Sequence, residues 1–159
     1  MNNDFKELLD LFNEYQVEYL VIGGYAVVEY TEPRFTKDLD LWVRANTENG
    51  TRVYNALARF GAPVRQLTAE DFSREGYFFQ MGHEPHRIDV LMSIQGVSFE
   101  QAWSNRHEVQ IDGQLVRFIG IRDLITAKEA SGRPQDLLDA ARLYEALDRL
   151  NALPQKPQE

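Results

Sequence analysis

The segment DLDLWV (residues 38–43) constrains the fold more than any other stretch of this chain. Acid and apolar residues alternate in it, which is the period of a β-strand. Leu39 and Leu41 therefore enter a core, while Asp38 and Asp40 project together from the opposite face. Two carboxylates that close repel each other, and apolar surroundings raise the cost of keeping them charged. A third acid has the same setting in HRIDVLM, where Asp89 lies between Ile88 and Val90. Three such acids call for a positive companion. Mg²⁺ (or Mn²⁺) meets that need, because it prefers hard oxygen ligands, keeps several waters and shares carboxylates with substrate phosphates. From these residues alone a second reading stays open, in which the acids line the solvent side of an edge strand.

A glycine pair lies upstream. EYLVIGG is a short buried strand ending in Gly23 and Gly24, and YAVVEYT is helical directly after it. Backbone without Cβ atoms approaches phosphates closely, and a helix N-terminus offers free N–H groups and a favourable dipole. An isolated Gly-Gly reads equally well as a plain strand-to-helix turn; ahead of an acid pair it points to a phosphate loop.

The rest of the chain supplies the frame. DFKELLDLFNEY spaces Phe5, Leu8, Leu9 and Phe12 as a helix face, with Asp4 as the expected N-cap. NGTRVYNALARFGAP is an amphipathic helix closed by Gly61 and Pro63, and AEDF adds a helical turn to a polar stretch over 64–76. YFFQMG and RIDVLMSI read as strands, and EVQIDGQLVRFI as a hairpin turning at Asp112-Gly113. Two helices follow, IRDLITAKEAS and QDLLDAARLYEALDRL, broken at Gly132-Arg133-Pro134. The order predicts an α/β (α+β) fold: a mixed sheet flanked by helices, with a small C-terminal helical pair. A length of 159 residues suits a single domain over 1–150, with a core to about residue 119, the helical pair over about 120–150 and a loose tail at 151–159.

VIGGYAVVEYTEPRFTKDLDLWV resembles the signature of nucleotidyltransferases of the polymerase-β type, and within them the AbiEii-like and minimal nucleotidyltransferase branches. Those families carry a hydrophobic strand, Gly-Gly or Gly-Ser, a helix, and then an Arg-x-Thr/Ser-x-Asp-h-Asp-h segment, where h is apolar. Gly23, Gly24, Arg34, Thr36, Asp38 and Asp40 stand at those places, and Ile88-Asp89-Val90 matches the later third acid. AKEASGRPQDLLDAARL places Lys128, Arg133, Asp136 and Asp139 in the AbiEii-like order. The gap from Gly24 to Asp38 is longer than in the compact branch, which favours the AbiEii-like one. The resemblance implies transfer of a nucleoside monophosphate from an NTP to an acceptor, with release of pyrophosphate. It implies that Asp38, Asp40 and Asp89 hold the metals and that Asp89 helps deprotonate the acceptor hydroxyl. Gly23 and Gly24 would cradle phosphates, with Thr36 in the same nucleotide-binding segment. Lys128, aided by Arg34 or Arg133, would offset triphosphate charge. The resemblance implies as acceptor a protein hydroxyl, an RNA end or a small molecule, in a toxin–antitoxin or phage-defence setting. A non-catalytic nucleotide- or partner-binding module with the same fold is the rival.

Composition narrows the partners. A net charge of −8 argues against general nucleic-acid binding, and a solvated helix face accounts for Arg52, Arg59 and Arg65. The absence of cysteine excludes disulfides and thiolate sites; with no signal-like start and no membrane-length apolar run, the expected location is the cytoplasm. His83, His86 and Asp89 lack the His-Glu-x-x-His spacing of a zinc helix. They read as a strand-to-strand turn beside the site, with His86 placed to contact substrate. Core packing accounts for most of Trp42, Trp103 and the Tyr77-Phe78-Phe79 run, ahead of base stacking.

Overall fold

A computed structural model describes residues 1–152. The elements run α1 (Asn3–Glu14), β1 (Tyr19–Ile22), α2 (Gly23–Tyr30), β2 (Leu39–Val43) and α3 (Thr47–Phe60). A 3₁₀ turn (Ala69–Ser73), β3 (Phe78–Met81), β4 (Ile88–Leu91) and α4 (Phe99–Ser104) follow. The hairpin β5 (His107–Ile111) and β6 (Gln114–Phe118) then leads to α5 (Ile121–Ser131) and α6 (Pro134–Ala152). One six-stranded sheet has the order β3-β4-β2-β1-β6-β5. It is mixed: β1 pairs parallel with β6 and β2 parallel with β4, while the other neighbours are antiparallel.

Local chemistry explains most boundaries. Helix α1 is capped by Asn2, whose side chain accepts from the Phe5 N–H at 2.9 Å, and not by Asp4 as the sequence suggested. Asp4 occupies the first turn instead, where its charge complements the helix dipole. The apolar face of α1 (Phe5, Leu8, Leu9 and Phe12) is fully buried. Asp112 and Gly113 both have positive φ, the geometry that a tight hairpin turn requires. Asn49 of α3 is buried and bonds the Glu18 N–H, the Glu18 carbonyl and the Arg44 carbonyl, so one side chain ties α3 to the outer ends of β1 and β2. Helix α4 was not foreseen; at six residues it is too short for a periodic signal. Its Phe99 packs edge-on against buried Trp42 and stacks on Trp103.

Residues 151 and 152, expected in a loose tail, are helical, at the end of α6; 153–159 lie outside the described residues. Among the described residues no helix is long and apolar enough to cross a membrane.

Candidate active site

The parallel pairing of β2 with β4 places Asp40 directly beside Asp89, and the antiparallel pairing of β3 sets Gln80 on the far side of Asp89. Ile22, the last residue of β1, stands opposite Asp40. Residues paired across strands share a face, so Asp40, Asp89 and Gln80 form one row. Gly23 follows Ile22 with φ +70°, and a Cβ built there would lie 2.1 Å from Asp40 Oδ2. The glycine is thus required twice: its backbone is left-handed, and the carboxylate occupies the space a side chain would need.

Above this row is an open cleft of about 800 Å³. Gly23, Gly24, Asp40, Arg87, Asp89 and Gln80 form its floor, and Arg34 enters from the loop between α2 and β2. The opposite wall is the junction of α5 and α6, with Lys128, Ser131, Arg133, Asp136 and Asp139. The wall is an ionic network. Lys128 Nζ lies 3.0 Å from Asp136 and 3.2 Å from Asp139; Arg34 lies 2.9 Å from Asp139, and Arg133 lies 2.8 Å from Asp136. The Ser131 hydroxyl also donates to Asp136. Burial works to raise the pKa of both aspartates. For Asp136 the bonds from Ser131, Lys128 and Arg133 outweigh it, and for Asp139 the Arg34 and Lys128 cations do, so both lie below the ordinary range.

The floor behaves oppositely. Burial pushes the Asp40 carboxyl up to about 7; the adjacent Asp89 and Asp38 reinforce the shift and Arg87 opposes it. Asp38 precedes β2 by one residue and does not line the cleft; one of its oxygens, Oδ1, is buried with no hydrogen-bond partner. Its other oxygen lies 3.2 Å from Arg87, whose guanidinium also grips both oxygens of Asp89 at 3.1 and 3.2 Å. Thr36 lines a neighbouring hollow with Arg34 and His86; its methyl packs where a Cβ on Gly24 would come, within 2.8 Å. His86 is on the β3–β4 turn as expected, bonded through Nδ1 to the Asn2 side chain. Arg52 is tied to Glu48 along α3. Trp42 is core, while Tyr77 and Phe78 are exposed at the edge strand.

Sequence reasoning overlooked Arg87, although a signal existed: it stands two before Asp89 at strand spacing, which puts both on one face. Gln80 carried no comparable signal.

Residues 2–153 match the family described as "Nucleotidyltransferase of unknown function (DUF6036)". The chain belongs to this nucleotidyltransferase family. It is an enzyme family, and the fold agrees with it. The lincomycin-bound structure of the lincosamide antibiotic adenylyltransferase LnuA is similar with a TM-score of 0.55 at 15% identity, covering 92% of this chain and 98% of that one. The antibiotic-resistance factor ANT(2'')-Ia gives 0.54 at 18%, covering 94% and 88%. An antigenic nucleotidyltransferase-like protein from Paracoccidioides brasiliensis gives 0.54 at 16%, covering 96% and 76%. No curated protein matches the sequence. The family and the fold place this chain among nucleotidyltransferases without selecting the AbiEii-like or minimal branch.

The donor set of this nucleotidyltransferase suits a hard divalent cation. Three carboxylates would supply oxygen ligands, one Asp38 oxygen is buried and unpartnered, and burial with the neighbouring acids opposes the Asp40 charge. Among the described residues the acids do not converge as a ready-made metal cluster.

Proposed function

We propose that this nucleotidyltransferase transfers a nucleoside monophosphate from an NTP to a hydroxyl of a small-molecule acceptor, as a single cytoplasmic domain over residues 1–150. The observation that carries the reading is the cross-strand pair Asp40–Asp89 pressed against Gly23 and faced by Arg34 and Lys128 across the cleft. Asp38, Asp40 and Asp89 would hold Mg²⁺ (or Mn²⁺), which supplies charge neutralisation on the phosphates and acidity at the attacking hydroxyl. Gly23 and Gly24 present backbone N–H groups to phosphate oxygens at the start of α2. Arg34, Lys128 and Arg133 add positive charge, with Lys128 and Arg34 held in place by Asp139. The acceptor oxygen bonds to the α-phosphorus, the bond from that phosphorus to the bridging oxygen breaks, and pyrophosphate leaves. Asp89 takes the hydroxyl proton. Thr36 acts from behind, by packing against Gly24.

A small acceptor is supported by the cleft's size, which suits a nucleotide and a drug-sized molecule, and by its apolar strip of Leu91, Ile94, Leu124 and Ala127. LnuA, of similar fold, was solved with lincomycin bound. The convergence of Lys128, Arg133, Asp136 and Asp139 supports placing the chain near the AbiEii-like branch, for which a toxin–antitoxin setting and a protein or RNA acceptor would follow.

The test is label transfer from each α-³²P NTP with Mg²⁺ into the protein, RNA and small-molecule fractions of a lysate, with Asp38→Ala/Asp40→Ala as control. Label confined to small molecules and dependent on the acids supports the proposal. Label in protein or RNA moves it to the AbiEii-like alternative. No label in any fraction, with nucleotide still bound, leaves the non-catalytic module.

A further inference from the structure

The floor of the cleft already contains a cation. Arg87 Nε and Nη2 hold the two oxygens of Asp89 in a fork, and Nη2 also reaches Asp38 Oδ2. Among the described residues it is the one cation within ion-pair distance of either acid. Lys37, the nearest basic residue in sequence to Asp38, is turned to Glu84. Arg87 is not sealed in: a third of its side chain, 34%, is exposed, and it lines the cleft.

We propose that Arg87 is a resident counter-cation that competes with divalent metal for Asp38 and Asp89 and yields them when metal-bound nucleotide enters. This inference rests on the reading of the three acids as metal ligands. Its physical basis is competition between two cations for one pair of acids. A guanidinium forked onto both oxygens of Asp89 and reaching Asp38 already offsets their charge. A divalent ion approaching the remaining lone pairs meets that positive charge at close range, so each cation weakens the hold of the other. Arg87 has room to withdraw because its outer atoms already face the cleft, and a triphosphate arriving there offers oxygens that a guanidinium fork matches as well as it matches a carboxylate. The exchange conserves charge pairing: Arg87 trades carboxylate for phosphate as the metal takes the acids. Metal alone then binds weakly, because it must displace Arg87 without giving it a new partner. Metal with nucleotide binds well. The coupling is reciprocal, so metal strengthens nucleotide binding by the same factor. The arrangement also explains how the acids stay together in the metal-free chain: Arg87 is the positive group among them.

The test is Mn²⁺ binding, read by the electron-paramagnetic signal of free Mn²⁺, with and without a non-hydrolysable NTP analogue. The proteins are the wild type, Arg87→Gln, Arg87→Lys and Asp40→Asn. Without nucleotide, Arg87→Gln is expected to bind Mn²⁺ about tenfold tighter than wild type, on the scale of one charge-assisted pair removed. Arg87→Lys, which keeps the charge but loses the fork, should fall between them. Nucleotide should tighten Mn²⁺ binding much less in Arg87→Gln than in wild type. The metal-free melting temperature of Arg87→Gln should drop and be restored by Mn²⁺. Should that variant not fold, Arg87→Lys carries the comparison alone. Unchanged or weaker Mn²⁺ binding in the Arg87 variants, with wild type binding Mn²⁺ and Asp40→Asn not, overturns the counter-cation role while leaving the metal site intact. Absence of Mn²⁺ binding in every protein, nucleotide present, removes the metal reading and this inference with it.

Discussion

The Asp40 carboxylate fills the space that a side chain at Gly23 would need, and each residue sets what the other can be. At Gly23→Ala the new methyl meets the Asp40 carboxylate and the backbone is held at φ +70°. The expected cost is about 1–3 kcal/mol of stability, together with loss of transfer activity because the carboxylate must turn away; denaturant unfolding and label transfer measure the two. Asp40→Asn should separate them. The Asp40 carboxyl is pushed up to about 7, so the fold resists its charge. A neutral amide there should leave the melting temperature at pH 7.5 unchanged or higher, while transfer falls by about a thousandfold or more. A variant that unfolds would contradict this. The identities of Gly23, Asp40 and Asp89 were legible because period-2 alternation and a glycine pair are local patterns. That Gly23 leans on Asp40 was not, because the contact crosses from β1 to β2 and no spacing along the chain encodes it. Arg87 lay between the two cases: its face was readable, and its partner Asp38 was not.

The α5–α6 junction is the element that closes the cleft, and ion pairs hold it there. Asp139 is 2% exposed and receives both Lys128 and Arg34, so it links the helical pair to the loop ahead of β2. Asp139→Ala should cost about 2–4 kcal/mol, at the lower side of a broken buried pair because Arg34 is partly exposed. It should also raise the KM for NTP more than it lowers kcat, since it releases binding groups and not the acids. The acid limb of stability follows from the lowered pKa values of Asp136 and Asp139. Both bind protons more weakly folded than unfolded. Their contribution is present above the unfolded carboxylate value and is lost as pH falls through the lower folded one. The wild-type melting temperature should rise from pH 7 to about 5, as the raised Asp40 carboxyl takes up a proton in the folded state, and fall below about 4; that fall should be shallower in Asp139→Ala. The helices themselves were legible from Gly132 and Pro134, which stop one and start the next. The ion-pair geometry was not; that Lys128, expected to offset triphosphate charge, is held by Asp136 and Asp139 follows from no spacing along the chain.

At the scale of the whole chain, a ligand that binds only the folded state must raise its melting temperature. An NTP with Mg²⁺ at about a hundred times its dissociation constant should add about 2.7 kcal/mol, or about 5–10 °C for a chain of this size. Thermal scans with each NTP would therefore rank the nucleotides independently of any acceptor, and no shift with any of them would remove the enzyme reading of this site. The mixed sheet was legible from the run of strand and helix signals. Its strand order was not, because β2 and β4 are joined only through α3, the 3₁₀ turn and β3. That crossover has a kinetic side. Asp40 and Asp89 meet only when a parallel pairing between distant segments closes, and such pairings bear the loop-closure cost before any contact rewards it. A chain emerging from synthesis with β2 made and β4 still unpaired has Asp38 and Asp40 without Asp89, and the proposed grip on a triphosphate is incomplete. On the proposed reading, nucleotide binding is consequently a readout of finished folding, and labelled NTP would time the closing of the sheet.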